Sequence, residues 1–311
     1  MSTNYNAVFT GGTINLADFD LGDGPVFVDL DANTAGALTP DNAPGQAGFL
    51  RIGDEETVLD DVENIIGTDL GERLFGSEED GFILAGGGDD TVHPFNGDDV
   101  VNGGSGVDTL LLNAINGALT IDLKRGFANT DSQQNAISGF ENVTGSNLFS
   151  DHILGDRNDN IISGGAGGDD TLKGRNGDDQ LSGEAGNDRL QGGRDDDMLD
   201  GGAGDDLLIG GKDDDTLTGG EGADRVVFRG RFEDDVVTDL NFEEGDVIKI
   251  SGARKIDSEA DLIVYAERLN EDSRQNTSAS IDGDDLLLDV RGNEILLVGA
   301  AAGWDDDLIS A

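Results

Sequence analysis

A strict period of nine governs residues 165–227, and few folds can accommodate it. The stretch reads in consecutive rows GAGGDDTLK, GRNGDDQLS, GEAGNDRLQ, GGRDDDMLD, GGAGDDLLI, GGKDDDTLT and GGEGADRVV. Position 1 is always glycine, from Gly165 to Gly219. Position 6 is always aspartate: Asp170, Asp179, Asp188, Asp197, Asp206, Asp215 and Asp224. Position 8 is always a large aliphatic: Leu172, Leu181, Leu190, Leu199, Leu208, Leu217 and Val226. Self-similarity at a short fixed period marks a solenoid, in which each repeat packs only on its neighbours.

Each constant position has a physical role. The glycine-rich half lets the backbone take positive φ and turn tightly. The half around position 8 is extended, and strand alternation points the aliphatic side chain to one side. One row is then a turn plus a short strand, and two rows make one coil of a flattened parallel roll. Aspartates 18 residues apart stack on one edge, facing the carbonyls of the glycine turns. Carboxylates and carbonyls together are hard oxygen donors suited to Ca²⁺.

The motif G-G-x-G-x-D-x-U-x resembles the RTX (repeats-in-toxin) hemolysin-type calcium-binding repeats. The resemblance implies an all-β fold, a parallel β-roll holding several Ca²⁺ ions. It also implies a ligand set. Row n supplies the carbonyls of positions 2 and 4 with its aspartate; row n+2 supplies the carbonyls of positions 1 and 3 with its own. Carried onto this chain, the aspartate pairs are Asp170/Asp188, Asp188/Asp206 and Asp206/Asp224 on one edge, and Asp179/Asp197 and Asp197/Asp215 on the other. The carbonyls on the first edge are those of Gly168, Gly183, Gly186, Gly201, Gly202, Gly204 and Gly219. On the second edge they are those of Gly177, Gly192, Gly193, Gly210 and Gly211.

An N-terminal β lead-in is expected over residues 1–57, where Val26-Phe27-Val28-Asp29-Leu30 alternates as a strand does. The Asp29, Asp31, Asn33 run begins like an EF-hand loop, but Thr34 and Pro40 stand where its glycine and glutamate belong. A first roll block spans 58–111, with aliphatics Ile65, Leu74, Ile83, Val92, Val101 and Leu110. Its position 6 carries aspartate only at Asp90, Asp99 and Asp108. Asp90 and Asp108 are expected to share an ion, with a weaker one at Asp99. Pro94 replaces a glycine there.

Residues 112–145 are a structured insertion. LTIDLKRGFANT at 119–130 echoes VFVDLDANTAG at 26–36, and FENVTGS at 140–146 echoes VENIIGT at 62–68. The second block, 146–227, enters through Ile153 and Ile162, with Asp151 and Asn160 as further candidate ligands at position 6. One extra residue at Gly164-Gly165 shifts the phase and predicts a bulge. Beyond Val227 the glycine rows cease, and residues 228–311 read as a small mixed β/α cap. VVTDL and DVIKI are predicted strands, a helix is expected from Ser258 through Leu269, and LLLDV and EILLV form a hairpin across Arg291-Gly292-Asn293. This region resembles the C-terminal region of RTX proteins exported by type I ABC secretion systems, which implies a secretion signal ending in DDDLISA.

Composition bounds the partners. With 66 acidic against 19 basic residues the formal net charge is −47, which excludes nucleic acid. No apolar run approaches the roughly 18 residues of a transmembrane segment. The N-terminus lacks a basic region followed by an apolar one, so no Sec-type signal is expected. There is no cysteine.

One aliphatic side chain per nine residues offsets little of the entropy of ordering nine backbones, and stacked carboxylates repel. Folding and calcium binding are therefore expected to be one event, with magnesium substituting poorly. No catalytic constellation appears. The two histidines, His93 and His152, have no partner spacing for zinc, and His93 reads as a surface residue. Trp304 and Phe228, Phe232 and Phe242 read as cap core.

The expectation is a secreted, non-enzymatic calcium-binding protein at the cell surface or in the extracellular matrix, with the type I ABC apparatus as export partner. The alternatives are a calcium-dependent adhesin or cell-surface polysaccharide-binding module, and a membrane-active secreted factor.

Overall fold

The computed structural model describes residues 9–16, 26–31, 47–52, 55–77, 79–229, 232–250, 255–256, 262, 277–282, 285–290 and 293–299. Among these the regular elements are strands. No helix among them is long and apolar enough to cross a membrane. The helix expected at 258–269 lies outside the described residues, apart from Leu262, which is buried. Trp304 and the terminal DDDLISA also lie outside them.

The chain divides into two compact units, Met1–Gly145 and Ser146–Ala311. In the second, three-residue strands stack in parallel at every other row. Thr171–Lys173 pairs with Arg189–Gln191, and that with Leu207–Ile209. On the other sheet Gln180–Ser182 pairs with Met198–Ala203, which pairs with Thr216–Glu221. The position-8 side chains form two columns. Ile153, Leu172, Leu190, Leu208 and Val226 make one, and Ile162, Leu181, Leu199 and Leu217 the other; each is 3% exposed or less. Most residues on either side of position 8 are at least partly exposed, as alternation on a strand requires, while Ile209 and Val227 are buried. The extra residue before Gly165 is accommodated where expected: Ile153 stacks on Leu172 at a spacing of 19 rather than 18.

The roll does not stop with the last glycine row. Asp234–Val237 stacks on Thr216–Glu221, placing Val237 on Leu217, and Val247–Ile250 stacks on Arg225–Phe228, placing Ile248 on Val226. Two and four extra residues respectively hide this continuation from a nine-residue count. The hairpin is present: Asp285–Val290 runs antiparallel to Glu294–Leu297, and the latter extends the sheet by setting Leu297 on Val237. Phe228 and Phe232 are buried and in ring contact at 5.4 Å, while Phe242 is half-buried.

In the first unit the columns are Ile65, Ile83, Val101 and Ile137, and Leu74, Val92, Leu110 and Val143. Two antiparallel meanders flank them. Val26–Asp31, Ala47–Ile52 and Glu55–Ile66 form the first; Thr120–Asp122, Phe127–Asn129 and Gln134–Ser138 form the second. Each leads into a Glu-Asn-aliphatic segment, Glu63-Asn64-Ile65 and Glu141-Asn142-Val143, so the sequence echo has a structural counterpart.

One expectation is overturned. His93 is 3% exposed, not on the surface. Its ring stacks on Phe75 at 5.8 Å and lies 4.0 Å from Phe95. Its Nδ1 accepts the Phe95 amide at 3.2 Å. The Pro94-Phe95 turn folds an aromatic side chain back over the imidazole, an arrangement the row register does not reveal. Burial pushes the His93 pKa down to about 4.

Candidate metal centre

The aspartates of position 6 form two ladders of one repeating geometry. On one edge the amide of Asp170 donates to Oδ1 of Asp188 (2.7 Å), that of Asp188 to Asp206 (2.7 Å), and that of Asp206 to Asp224 (2.9 Å). On the other, the amide of Asp179 donates to Asp197 (2.9 Å) and that of Asp197 to Asp215 (3.0 Å). Each carboxylate thus spends one oxygen on the backbone of the coil before it. The other oxygen, Oδ2, is buried and has no hydrogen-bond partner in Asp170, Asp179, Asp188, Asp197, Asp206, Asp215 and Asp224. An unpartnered buried carboxylate oxygen is costly, and native structures avoid it unless something else occupies the site.

The missing side chains of position-1 glycines make room for that something. A Cβ at Gly192 or Gly210 would collide with Oδ2 of Asp197 or Asp215. A Cβ at Gly183 would collide with Oδ2 of Asp188 and meet the Gly201 carbonyl; one at Gly201 would meet Oδ2 of Asp206 and the Gly219 carbonyl. At Gly183 and Gly201 this makes a small cradle lined by carboxylate and carbonyl oxygen. Gly168, Gly177, Gly186, Gly193, Gly202, Gly204 and Gly211 all have positive φ. These left-handed positions aim carbonyls between coils: that of Gly186 faces Gly204, and that of Gly193 faces Gly211. Among the described residues no three His, Cys, Asp or Glu side chains converge as a metal site. Carboxylate oxygens beside main-chain carbonyls are hard donors of the kind that suits Ca²⁺.

The electrostatics agree. Burial, reinforced by the neighbouring carboxylates Asp215, Asp179 and Asp178, pushes Asp197 up to about 9. Burial likewise raises Asp170, Asp179 and Asp215 to about 7, and Asp188, Asp206 and Asp224 to about 6. Carboxylates held this far above the ordinary range need a proton or a cation to stay folded.

The first unit repeats the geometry on a smaller scale. The Asp90 amide donates to Asp108 Oδ1 at 2.9 Å, and Oδ2 of Asp90, Asp99 and Asp108 is buried without a partner. Burial raises Asp90 and Asp99 to about 7. The Pro94 carbonyl faces Gly76.

The heads of the ladders differ. Asp151 takes the Ser146 amide at 2.5 Å and its hydroxyl at 3.1 Å, and Asn160 takes the Asp156 amide at 2.9 Å. Glu72 does the same for the Thr68 amide and hydroxyl. These side chains fold back on their own turn and close it.

Three features lie outside the expected ligand set. Asp235 and Asp246 continue the ladders, accepting the amides of Asp215 (3.0 Å) and Asp224 (2.9 Å). In the insertion, Asn135 and Glu141 take the rung place, accepting the amides of Asp99 and Asp108 at 2.8 Å each. A second, exposed ladder runs through position 5 in the opposite direction. The Asn187 amide donates to Asp169, that of Asp205 to Asn187, and that of Ala223 to Asp205. Its signal is visible in the rows: position 5 is Asp or Asn in all but the last.

Comparison with known proteins agrees with this geometry. A model described as the RTX calcium-binding nonapeptide repeat matches residues 66–94, 75–110, 147–169, 165–199 and 191–226. No curated protein matches the chain. Among solved structures, the chain is similar to extracellular lipase LipA from Serratia marcescens, at 16% identity and a TM-score of 0.21. That match covers 74% of this chain and 38% of the lipase, so the chain spans well under half of its length. A parallel β-roll with rungs of buried aspartate defines a calcium-binding repeat protein. The chain carries RTX calcium-binding nonapeptide repeats over residues 66–110 and 147–226.

Proposed function

We propose that this is a secreted, non-enzymatic protein whose roll assembles on binding extracellular Ca²⁺, after export through a type I ABC apparatus, and which acts at the cell surface or in the matrix. The observation that carries this reading is the column of buried Oδ2 atoms without partners in Asp170 through Asp224. Bound Ca²⁺ would supply the positive charge and coordination that these oxygens lack. The residues that would hold it are the position-6 aspartates of rows n and n+2, with the glycine-turn carbonyls between them. Where calcium is scarce, as in cytosol, the ionised rungs repel and the chain stays open for export. Where it is millimolar, binding free energy becomes folding free energy. The test is circular dichroism at neutral pH during calcium titration from excess chelator. A cooperative rise in β signal with calcium and little with magnesium supports the reading; a full β signal in chelator overturns it.

A second reading, binding of an anionic cell-surface polysaccharide, is favoured by the distribution of cations. The outward positions of the strands from His152–Leu154 through Val247–Ile250 carry Lys173, Arg189, Arg225 and Lys249 and no acid. The opposite sheet, through Gln180–Ser182, Met198–Ala203 and Thr216–Glu221, presents no cation. Among the described residues none of the four makes an ion pair. On a chain of charge −47 this face is the one suited to a polyanion. Calcium-loaded protein would bind a polyuronate, the Arg189→Ser/Arg225→Ser variant would bind it several-fold more weakly, and added salt would weaken both. Equal binding by the variant would remove this reading.

A further inference from the structure

The two edges of the second unit end in different ways. On one, the carboxylate of Asp246 is fully engaged: Oδ1 accepts the Asp224 amide at 2.9 Å and Oδ2 accepts the Asn241 amide at 2.7 Å. That rung is closed by hydrogen bonds, as Asp151 is at the other end. On the opposite edge, Asp235 is 2% exposed, its Oδ1 accepts the Asp215 amide at 3.0 Å, and its Oδ2 is buried with no partner.

The sequence leading into Asp235 has the form of a nonapeptide row. Residues 230–238 read G-R-F-E-D-D-V-V-T, with glycine at position 1, aspartate at 6 and an aliphatic at 8. Glu233 occupies position 4 with φ 48, left-handed like Asp195 (φ 72) and Asp213 (φ 71) in the two rows before it on that edge. The exposed ladder also persists: the Asp234 amide donates to Asp214 Oδ1 at 3.0 Å. This row lies beyond residue 226, where the repeat-family match ends.

We propose that Asp215 and Asp235 hold a further Ca²⁺ ion, outside the nonapeptide repeats, that fastens the C-terminal hairpin to the roll. The inference rests on the calcium reading above. It follows the criterion that separates open rungs from closed ones: one oxygen on the preceding backbone, the other buried and free. What the ion would secure is specific. Val237 stacks between Leu217 and Leu297, and the Glu294 amide donates to Asp234 Oδ1 at 3.3 Å. The strand Glu294–Leu297 is therefore attached to the roll through the Asp235 rung.

The experiment uses the full chain and counts bound Ca²⁺ by native mass spectrometry, with amide hydrogen exchange at Glu294–Leu297. Asp235→Asn keeps an acceptor for the Asp215 amide but removes a charge; it should bind one ion fewer than wild type and lose protection at Glu294–Leu297. Asp246→Asn, on the closed edge, should bind as many ions as wild type. Should Asp235→Asn not fold, wild type still decides: protection of Glu294–Leu297 should appear with calcium. An unchanged ion count in Asp235→Asn, an equal loss in Asp246→Asn, or full protection in chelator would overturn the proposal. If wild type binds no calcium at all, the functional reading fails and this site with it; if only the Asp235 count is unchanged, that reading stands.

Discussion

The two units solve one problem in unequal proportions. In the first, buried carboxylate oxygens without partners occur at Asp90, Asp99 and Asp108; in the second they run unbroken from Asp170 through Asp224 and on to Asp235. The first unit surrounds its short ladders with other means of cohesion. These are two antiparallel meanders, the Phe75–His93–Phe95 stack, and rungs filled by Asn135 and Glu141, whose oxygens accept amides as aspartate does. Through residues 165–227 the second unit has one unsatisfied carboxylate per row and, in most rows, one buried aliphatic. Calcium dependence should therefore scale with the number of consecutive open rungs, not with membership in the repeat.

The largest effect is expected from chelation. Removing calcium at neutral pH should abolish amide protection throughout 165–250, while part of 82–145 stays protected. Hydrogen exchange followed by fragment mass analysis checks it. Equal loss in both stretches would mean that the meanders contribute little and would break the comparison.

Acid should partly replace calcium, and more so in the second unit. The sign follows from linkage. Aspartates whose folded pKa is raised bind more protons folded than unfolded between their ordinary value, 3.8, and the folded value. The metal-free fold therefore gains stability as pH falls through about 9 for Asp197, about 7 for Asp170, Asp179 and Asp215, and about 6 for Asp188, Asp206 and Asp224, with no further gain below the ordinary value. Each such group contributes at most about 1.4 kcal/mol per pH unit within its window. In chelator, β signal should rise as pH is lowered from about 8 to about 5, with the gain mostly in the second unit. A signal flat across that range would refute the desolvation argument for the rungs.

Next in size are truncations of the core. Leu199→Ala removes a fully buried side chain from its column and should cost about 2–5 kcal/mol in the calcium-loaded protein. Phe95→Gly should cost a similar amount in the first unit, since it removes the ring covering His93. Thermal melts in calcium measure both. If Leu199→Ala proves harmless, the ions alone hold the second unit together.

The same contrast explains what could be read from the chain without coordinates. Three constant positions in phase over 165–227 are enough to define strand, turn, core column and rung, because each nine-residue row is a complete local unit. Reading fails where a residue's role depends on what lies next to the row. Asp235 was hidden because Phe228 and Arg229 delay its row by two residues, although its glycine, aspartate and aliphatic are all in place. Asp151 and Asp188 look alike in the rows, yet the chain entering at Ser146 closes one and leaves the other open. His93 holds a position that is outward in a plain row, and only the neighbouring Pro94-Phe95 turn buries it.

The smallest effect expected is of opposite sign to Phe95→Gly at the same point of the row. Glu184 and Phe95 both occupy position 2 with left-handed backbone, φ 72 and φ 61, where most other rows have glycine. A left-handed non-glycine residue carries roughly 1–2 kcal/mol of steric strain. Phe95 offsets it by burying its ring, whereas Glu184 makes only an exposed hydrogen bond from the Ser182 hydroxyl at 3.2 Å. Glu184→Gly releases the strain but adds about 0.5–1 kcal/mol of chain entropy to the unfolded state. It should therefore stabilise the calcium-loaded roll by up to about 1 kcal/mol, read as a small rise in melting temperature. A clear loss of stability would show that the glutamate side chain supports the turn in a way its exposed position does not suggest. It would also weaken the claim that regular rows are held by backbone, column and rung alone.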